Sequence, residues 1–400
     1  MSSMEKNIFI RKDGPPDLPV ETESAGTTGS DENATPSILK QLSWLDRLLT
    51  PLVLLSMIVG VIIGEFVSGV QEAFNTATFA DVSVPIAIGL IVMMWPVLTK
   101  VQYETLPKLF KTCHLWYQIS LSLLLNWIVG PFIMLAVAWA TLPDLPTYRT
   151  GVIMVGLARC IAMVMIWNQL AKGNHDYCAI LVVVNSILQI VLYSPFALLF
   201  VNVISGGGTV RVSYGNVAIS VLIYLGIPLA AGVTTRYVLM FSFGRAWLEK
   251  RFLPIFSPLA LLGLLYTIIV MFAYQGHHIV RNLGPVFRVF VPMILYFIIM
   301  WSSTFALCYY LTKKYGLSGG FGYDVAVVQS FTAGSNNFEL AIAVCIATWG
   351  VGSDQALAAT IGPLVEVPVL LSLTWVALYL RKALNWEAPK DQAPEKIDVK

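Results

Sequence analysis

Residues 156–169 read GLARCIAMVMIWNQ, with Arg159 and Cys160 side by side inside a stretch otherwise fit for lipid. A helix needs about 20 mostly apolar residues to cross the hydrocarbon core of a bilayer, at about 1.5 Å of rise each. On that ruler Cys160 falls near the middle of an apolar segment covering residues 151–171. An ionisable side chain at such a depth costs at least about 2.5 kcal/mol to insert, so it faces the protein interior and finds partners there. The question is what Arg159 and Cys160 do at the centre of a membrane.

The composition agrees with a membrane setting. Of 400 residues, 57% are hydrophobic and 12% charged, against about 25% charged in an ordinary soluble domain. Apolar runs predict ten spans near residues 48–67, 83–99, 116–142, 151–171, 178–204, 217–240, 253–274, 286–311, 324–349 and 356–380. The expected fold is therefore an all-α membrane protein. Residues 1–42 are polar and rich in Pro, Gly, Ser and Thr, which predicts a disordered cytosolic tail with no secretory signal. Residues 43–380 then form the ten-helix domain and 381–400 a second cytosolic tail.

A formal net charge of +2 with dispersed basic residues excludes a nucleic-acid surface. The five cysteines form no CxxC pair, so neither a zinc site nor a disulfide framework is expected, and no cofactor is called for. There is no phosphate-binding loop, which argues against ATP as the energy source. The GLSGG stretch at 316–320 follows a membrane helix instead of a strand and does not read as a hydrolase nucleophile. Gly60 and Gly64 in the first span have the spacing of close helix packing. With the N-terminus inside, 20 of the 25 Lys and Arg fall on cytosolic segments, which places both termini in the cytosol.

Ten spans divide into two sets of five, about 43–204 and 217–380, and an odd number per set turns the second upside down relative to the first. The stretch Asn185–Gln189 in span 5 can be laid over Gly362–Glu366 in span 10, each following a Trp-containing helix end and a polar turn. Inverted repeats with broken helices near the midplane are a recurring transporter architecture. Spans 4 and 9 are expected to be the broken ones.

Three polar features share one depth: Arg159 with Cys160, the group Ser335, Asn336, Asn337 and Glu339, and Glu366. Arg159 either pins one helix to another through a carboxylate or faces a substrate. Cys160 is either a small packed hydrophobe or, beside Arg159, a soft ligand. Met163 and Trp167 continue its stripe. Pro363 and Pro368 flank Glu366, and the helix is expected to be interrupted beside that carboxyl.

At these residues the chain resembles a fungal member of the arsenical-resistance arsenite permease family, within the bile acid, arsenite and riboflavin transporter superfamily. The resemblance covers about residues 42–380. It is carried by SWLDRLL (43–49), GLIVMMWP (89–96), LLLNWIVGP (123–131), GLARCIAMVMIWNQLAKGNHDYC (156–178), SNNFELAIA (335–343) and ATIGPLVEVPVLL (359–371). It implies a plasma-membrane permease that extrudes arsenite, and antimonite, in exchange for protons. The family's functional cysteine falls on Cys160 and its glutamate on Glu366. Its neighbouring arginine falls on Arg159, its tryptophan on Trp167, its span-5 asparagine on Asn185, and its SNNFE group on Ser335, Asn336, Asn337 and Glu339.

Trivalent arsenic is thiophilic and travels as a neutral triol. A single thiol suits a carrier, because a site that must release its cargo cannot hold it in a three-thiolate cage. Cys160 is thus expected to hold arsenite with Asn185 and Asn337 bonding its hydroxyls, and Glu366 to carry the proton with Arg159 as its partner, Glu339 being the alternative partner of that arginine. A sodium-coupled symporter of organic anions and a metalloid channel or sensor are the competing readings. An enzyme is excluded by the absence of a base at a readable spacing from Cys160.

Overall fold

The computed structural model describes residues 44–386, apart from positions 68, 70–71, 73–77, 80–81, 106–112, 162, 207–211, 275, 282 and 316–320. The N-terminal tail, the GLSGG stretch and nearly all of the C-terminal tail lie outside the described residues. Twelve principal helices account for the spans. Six are long and apolar enough to cross a membrane: α3 (Trp116–Thr141), α6 (His175–Ile204), α7 (Tyr214–Phe243), α8 (Arg245–Tyr274), α9 (Leu283–Tyr315) and α12 (Asp354–Ala383). The first two spans are α1 (Trp44–Phe66) and α2 (Val84–Lys100). A two-residue hairpin, Thr78–Phe79 with Val82–Ser83, precedes α2 and is the one departure from an all-helical chain among the described residues.

The remaining two spans are interrupted. Span 4 consists of α4 (Pro146–Leu157) and α5 (Met163–Leu170). Span 9 consists of α10 (Tyr323–Ala333) and α11 (Phe338–Trp349). The fourth member of each set of five is the broken one, as the duplicated pattern predicts. The second break coincides with residues that do not favour helix continuation, Gly334-Ser335-Asn336-Asn337, since short polar side chains offer the backbone competing hydrogen bonds; the first, at Ala158-Arg159-Cys160-Ile161, has no such composition.

The expected interruption beside Glu366 is not there. α12 runs unbroken from Asp354 to Ala383 with Pro363 and Pro368 inside it. Proline removes one ladder hydrogen bond and frees a carbonyl one turn back, and within a packed membrane helix that local loss is tolerated without ending the helix.

Two groups of helices form. α8 lies against α1 and α2, and α2 against α7. Here Gly60 and Gly64 allow contact with the α8 backbone: a Cβ on Gly60 would sit 2.6 Å from Phe272 Cβ, and one on Gly64 would sit 2.2 Å from the Ala273 carbonyl oxygen. The second group contains α12 packed on α4, α9 and α11, with α9 also against α3 and α10. Both interrupted spans belong to this second group, and their breaks lie inside it.

Candidate functional site

A helix end leaves backbone N–H and C=O groups without partners, and in a membrane those groups must be satisfied within the protein. The two breaks satisfy each other. Arg159 and Asn336 pair as an antiparallel bridge. The Asn337 backbone N–H donates to the Ala158 carbonyl at 3.2 Å. The Asn336 side-chain amide donates to the carbonyls of Val155 and Ala158, both at 3.0 Å, covering the open end of α4. Ala158 itself is extended, with φ −84° and ψ 123°.

Each second half-helix is then capped by a side chain from its own break. The Val164 N–H donates to the Cys160 sulfur at 3.3 Å. The Leu340 N–H donates to Asn337 Oδ1 at 3.1 Å. Cys160 and Asn337 hold corresponding places, each directly following a member of the Arg159–Asn336 bridge. The following helix reaches each break as well: Gln189 Oε1 of α6 accepts from the Arg159 N–H at 2.9 Å, and the Glu366 carboxyl of α12 faces the Asn336 backbone N–H.

The predicted residues converge on this crossing. The Ser335 hydroxyl, which donates to the Phe331 carbonyl, lies beside Cys160, and Glu366 and Glu339 both stand close enough to act on Cys160 through space, Glu366 the more strongly. Asn185 accepts from Trp127 Nε1 at 3.1 Å. Trp167, Cys160, Asn185, Asn336, Asn337 and Glu366 are all buried. Several polar atoms among them have no protein partner among the described residues: Asn185 Nδ2, Asn337 Nδ2, Trp167 Nε1, Gln189 Nε2 and Glu366 Oε1. A buried donor or acceptor left so costs about 1–3 kcal/mol, and a concentration of them at one point is characteristic of a site that binds a polar ligand.

Arg159 is where the structure departs from expectation. Among the described residues no carboxylate lies within ion-pair distance of it, neither Glu366 nor Glu339. Its guanidinium reaches instead to the Tyr296 hydroxyl at 3.2 Å, which donates in turn to the Ala333 carbonyl at 3.2 Å. It occupies the space beside Gly130, where a Cβ would come within 2.9 Å of the guanidinium. The arginine thus ties span 4 to spans 8 and 9 while Nε and one terminal nitrogen stay without a partner. Tyr296, Gln189 and Trp127 were not among the predicted site residues. Only Gln189 had a signal in the sequence, its alignment with Glu366.

A cavity of about 180 Å³ lies between the two helix groups. Val97, Lys100 and Gln102 line one wall, Met165 and His175 the other, and Ile161, next to Cys160, is the lining residue that belongs to the break. At the opposite end the groups are in contact: Thr360 donates to the Met271 sulfur at 2.9 Å, and the Tyr274 ring lies against Gly352. There α11 packs on α7 and α2, whereas its counterpart α5 makes its main contacts to α6, α10 and α12.

Two broken helices crossing around buried polar groups, within a ten-span helical chain, define a multi-span membrane transporter. Comparison with known proteins gives the family. Residues 87–282 match the Sodium Bile acid symporter family. The chain is 40% identical over 359 residues to the arsenical-resistance protein Acr3 of Corynebacterium glutamicum, covering 88% of this chain and 93% of that one. It is 31% identical over 350 residues to the arsenical-resistance protein Acr3 of Alkaliphilus metalliredigens, covering 84% and 93%. An uncharacterized transporter of Synechocystis sp. is 32% identical over 377 residues, covering 90% and 93%. The chain belongs to the arsenical-resistance Acr3 family of the bile acid, arsenite and riboflavin transporter superfamily.

Proposed function

We propose that this transporter extrudes arsenite, and antimonite, from the cytosol across the plasma membrane in exchange for protons. The observation that carries the reading is the meeting of one thiol, Cys160, and one buried carboxyl, Glu366, at the crossing of the two broken helices. A thiol supplies the soft ligand that trivalent arsenic prefers. The free amide groups of Asn185 and Asn337 supply donors to the oxygens of a neutral triol, with Ser335, Asn336 and Trp167 completing the wall. No substrate bond has to be made or broken, so the protein is not an enzyme.

In this reading the helices of residues 43–204 and 217–380 are the two inverted repeats, and both termini are cytosolic. The cavity beside Lys100 and His175 then opens to the cytosol, and arsenite reaches Cys160 past Ile161 and Met165. Protonation of Glu366 from the outer side would return the empty carrier, with Arg159 and Glu339 setting the electrostatic surroundings of that step. Rocking of the α1, α2, α7 and α8 group against the other would break the Thr360–Met271 contact and close the cavity.

The test is flux by the purified protein in liposomes under an imposed pH gradient, with arsenite, antimonite and a bile acid compared. Arsenite accumulation should follow the proton gradient and stop when it is collapsed. The family match to sodium-dependent symporters supports a second reading, organic-anion uptake with sodium. Transport that follows sodium and ignores the pH gradient would establish that reading and reject proton exchange.

A further inference from the structure

The two clamps at the crossing are repeat equivalents with different chemistry. Gln189 of α6 and Glu366 of α12 are separated by the same sequence offset as Arg159 and Asn336; Gln189 holds the Arg159 backbone N–H, and Glu366 faces that of Asn336. Gln189 uses Oε1 for its bond and leaves Nε2 buried without a protein partner among the described residues, and Glu366 Oε1 is buried in the same condition. Gln189 is fully buried. It lies one turn beyond Asn185 and one turn before Tyr193, whose hydroxyl donates to the Met154 carbonyl, so one face of α6 holds α4 and its break.

An ionised carboxylate accepts an N–H about twice as strongly as a neutral acceptor does. Protonation of Glu366 therefore weakens the grip of α12 on the α10–α11 break. The amide of Gln189 has no such second state, and its bond to the Arg159 N–H is the same at every pH.

We propose that Gln189 is a positioning residue of the transport site: it is the non-titrating counterpart of Glu366, and it holds the Cys160 segment in place while protons act on the other break alone. The inference rests on proton exchange as proposed above. The titratable and charged groups around the two clamps are few: Arg159 and Cys160 from the α4–α5 break, Tyr296 from α9, Glu339 and Cys345 from α11, and Tyr193 and Cys178 on α6 itself. None of these accepts the Arg159 N–H. A single proton-sensitive clamp then gives one proton exchanged per arsenite.

The experiment is the balance point of transport in liposomes with the membrane potential held at zero. For the wild type, a tenfold arsenite gradient should be balanced by one pH unit, the value for one-to-one exchange of a neutral solute. Absence of any balancing pH in the wild type would reject the proton reading itself, separately from Gln189. Gln189→Glu keeps an acceptor for the Arg159 N–H and makes both clamps titratable, so the balancing gradient should shift toward half a pH unit. Gln189→Leu removes the acceptor and should lower arsenite flux at least tenfold, with Gln189→Glu retaining most of it. The exchanged pair, Gln189→Glu with Glu366→Gln, should recover proton-dependent flux that Glu366→Gln alone lacks. An unchanged one-to-one balance in folded Gln189→Glu would overturn the proposal. So would wild-type flux in Gln189→Leu, or an exchanged pair no better than Glu366→Gln, read in protein of matched thermal stability.

Discussion

At the α4–α5 break the cap is a thiol and the clamp a carboxamide; at the α10–α11 break the cap is a carboxamide and the clamp a carboxyl. The backbone arrangement is shared. Both breaks expose the same two orphan groups, a carbonyl at the end of the first half-helix and an N–H at the start of the second; in both a side chain of the break caps the second half-helix, while the first ends on Asn336 in one case and on the Tyr296 hydroxyl in the other. What differs is four side chains, and those four divide the chemistry. The first break carries the soft ligand and the second the titrating group. In the function proposed above, those differences would make one of the two openings a metalloid site and the other a proton site.

The strongest way to break that division is to remove the thiol. Cys160→Ser keeps a small cap for α5 and discards the soft ligand, and arsenite flux in everted vesicles should fall at least a hundredfold, about 2.7 kcal/mol. Cys308→Ser, at a buried cysteine of α9 away from both breaks, should keep most of the activity. Equal tolerance of the two would return Cys160 to the role of a packed hydrophobe. Next in size is a change that makes the two caps alike. Asn337→Cys places a second thiol at the crossing, and arsenite should bind about tenfold more tightly, about 1.4 kcal/mol, while turnover falls because release becomes slower. A rise in turnover would mean that release does not depend on having a single thiol.

The third change lies outside the comparison and sets its scale for stability. Arg236 of α7 is buried and holds Glu104 of the connection after α2, with Arg236 Nε 2.9 Å from Glu104 Oε2 and a second contact through the other oxygen. It also donates to the Thr99 carbonyl at 3.2 Å. Burial pushes the Glu104 carboxyl up, and the Arg236 hydrogen bond with its surrounding charge more than offsets this, leaving it below the ordinary carboxylate range. A lowered carboxyl contributes stability that is complete above that range and is lost as the pH falls through it. Glu104→Gln should therefore cost about 3 kcal/mol near neutral pH and little in acid, read as thermal unfolding in detergent, with arsenite affinity unchanged in the folded fraction. A pH-independent loss would show that packing, and not the ion pair, is what the clasp supplies.

The two breaks also differ in how legible they were. Gly334 to Asn337 advertise a helix end in composition, and Arg159 beside Cys160 advertises cost at depth, so both crossings could be placed from the chain. Glu366 was legible for the same reason as Arg159. Its surroundings were not: Pro363 and Pro368 suggest a third interruption, yet α12 continues through them, because packing against α4, α9 and α11 outweighs two missing ladder bonds. The partner of Arg159 was equally hidden. A guanidinium at membrane depth suggests a carboxylate, and the fold instead gives it the Tyr296 hydroxyl and room beside Gly130.

The amino-acid sequence by itself determined the apolar lengths and the polar residues too costly to leave in lipid, because each of these follows from the transfer of local groups out of water. Only the tertiary structure decided which N–H each clamp would hold, that Gln189 and Glu366 would do the same work, and that one end of the crossing would meet a cavity while the other met packed side chains. Those outcomes depend on hydrogen bonds between residues far apart in the chain, and such bonds acquire partners only once the helices have come together.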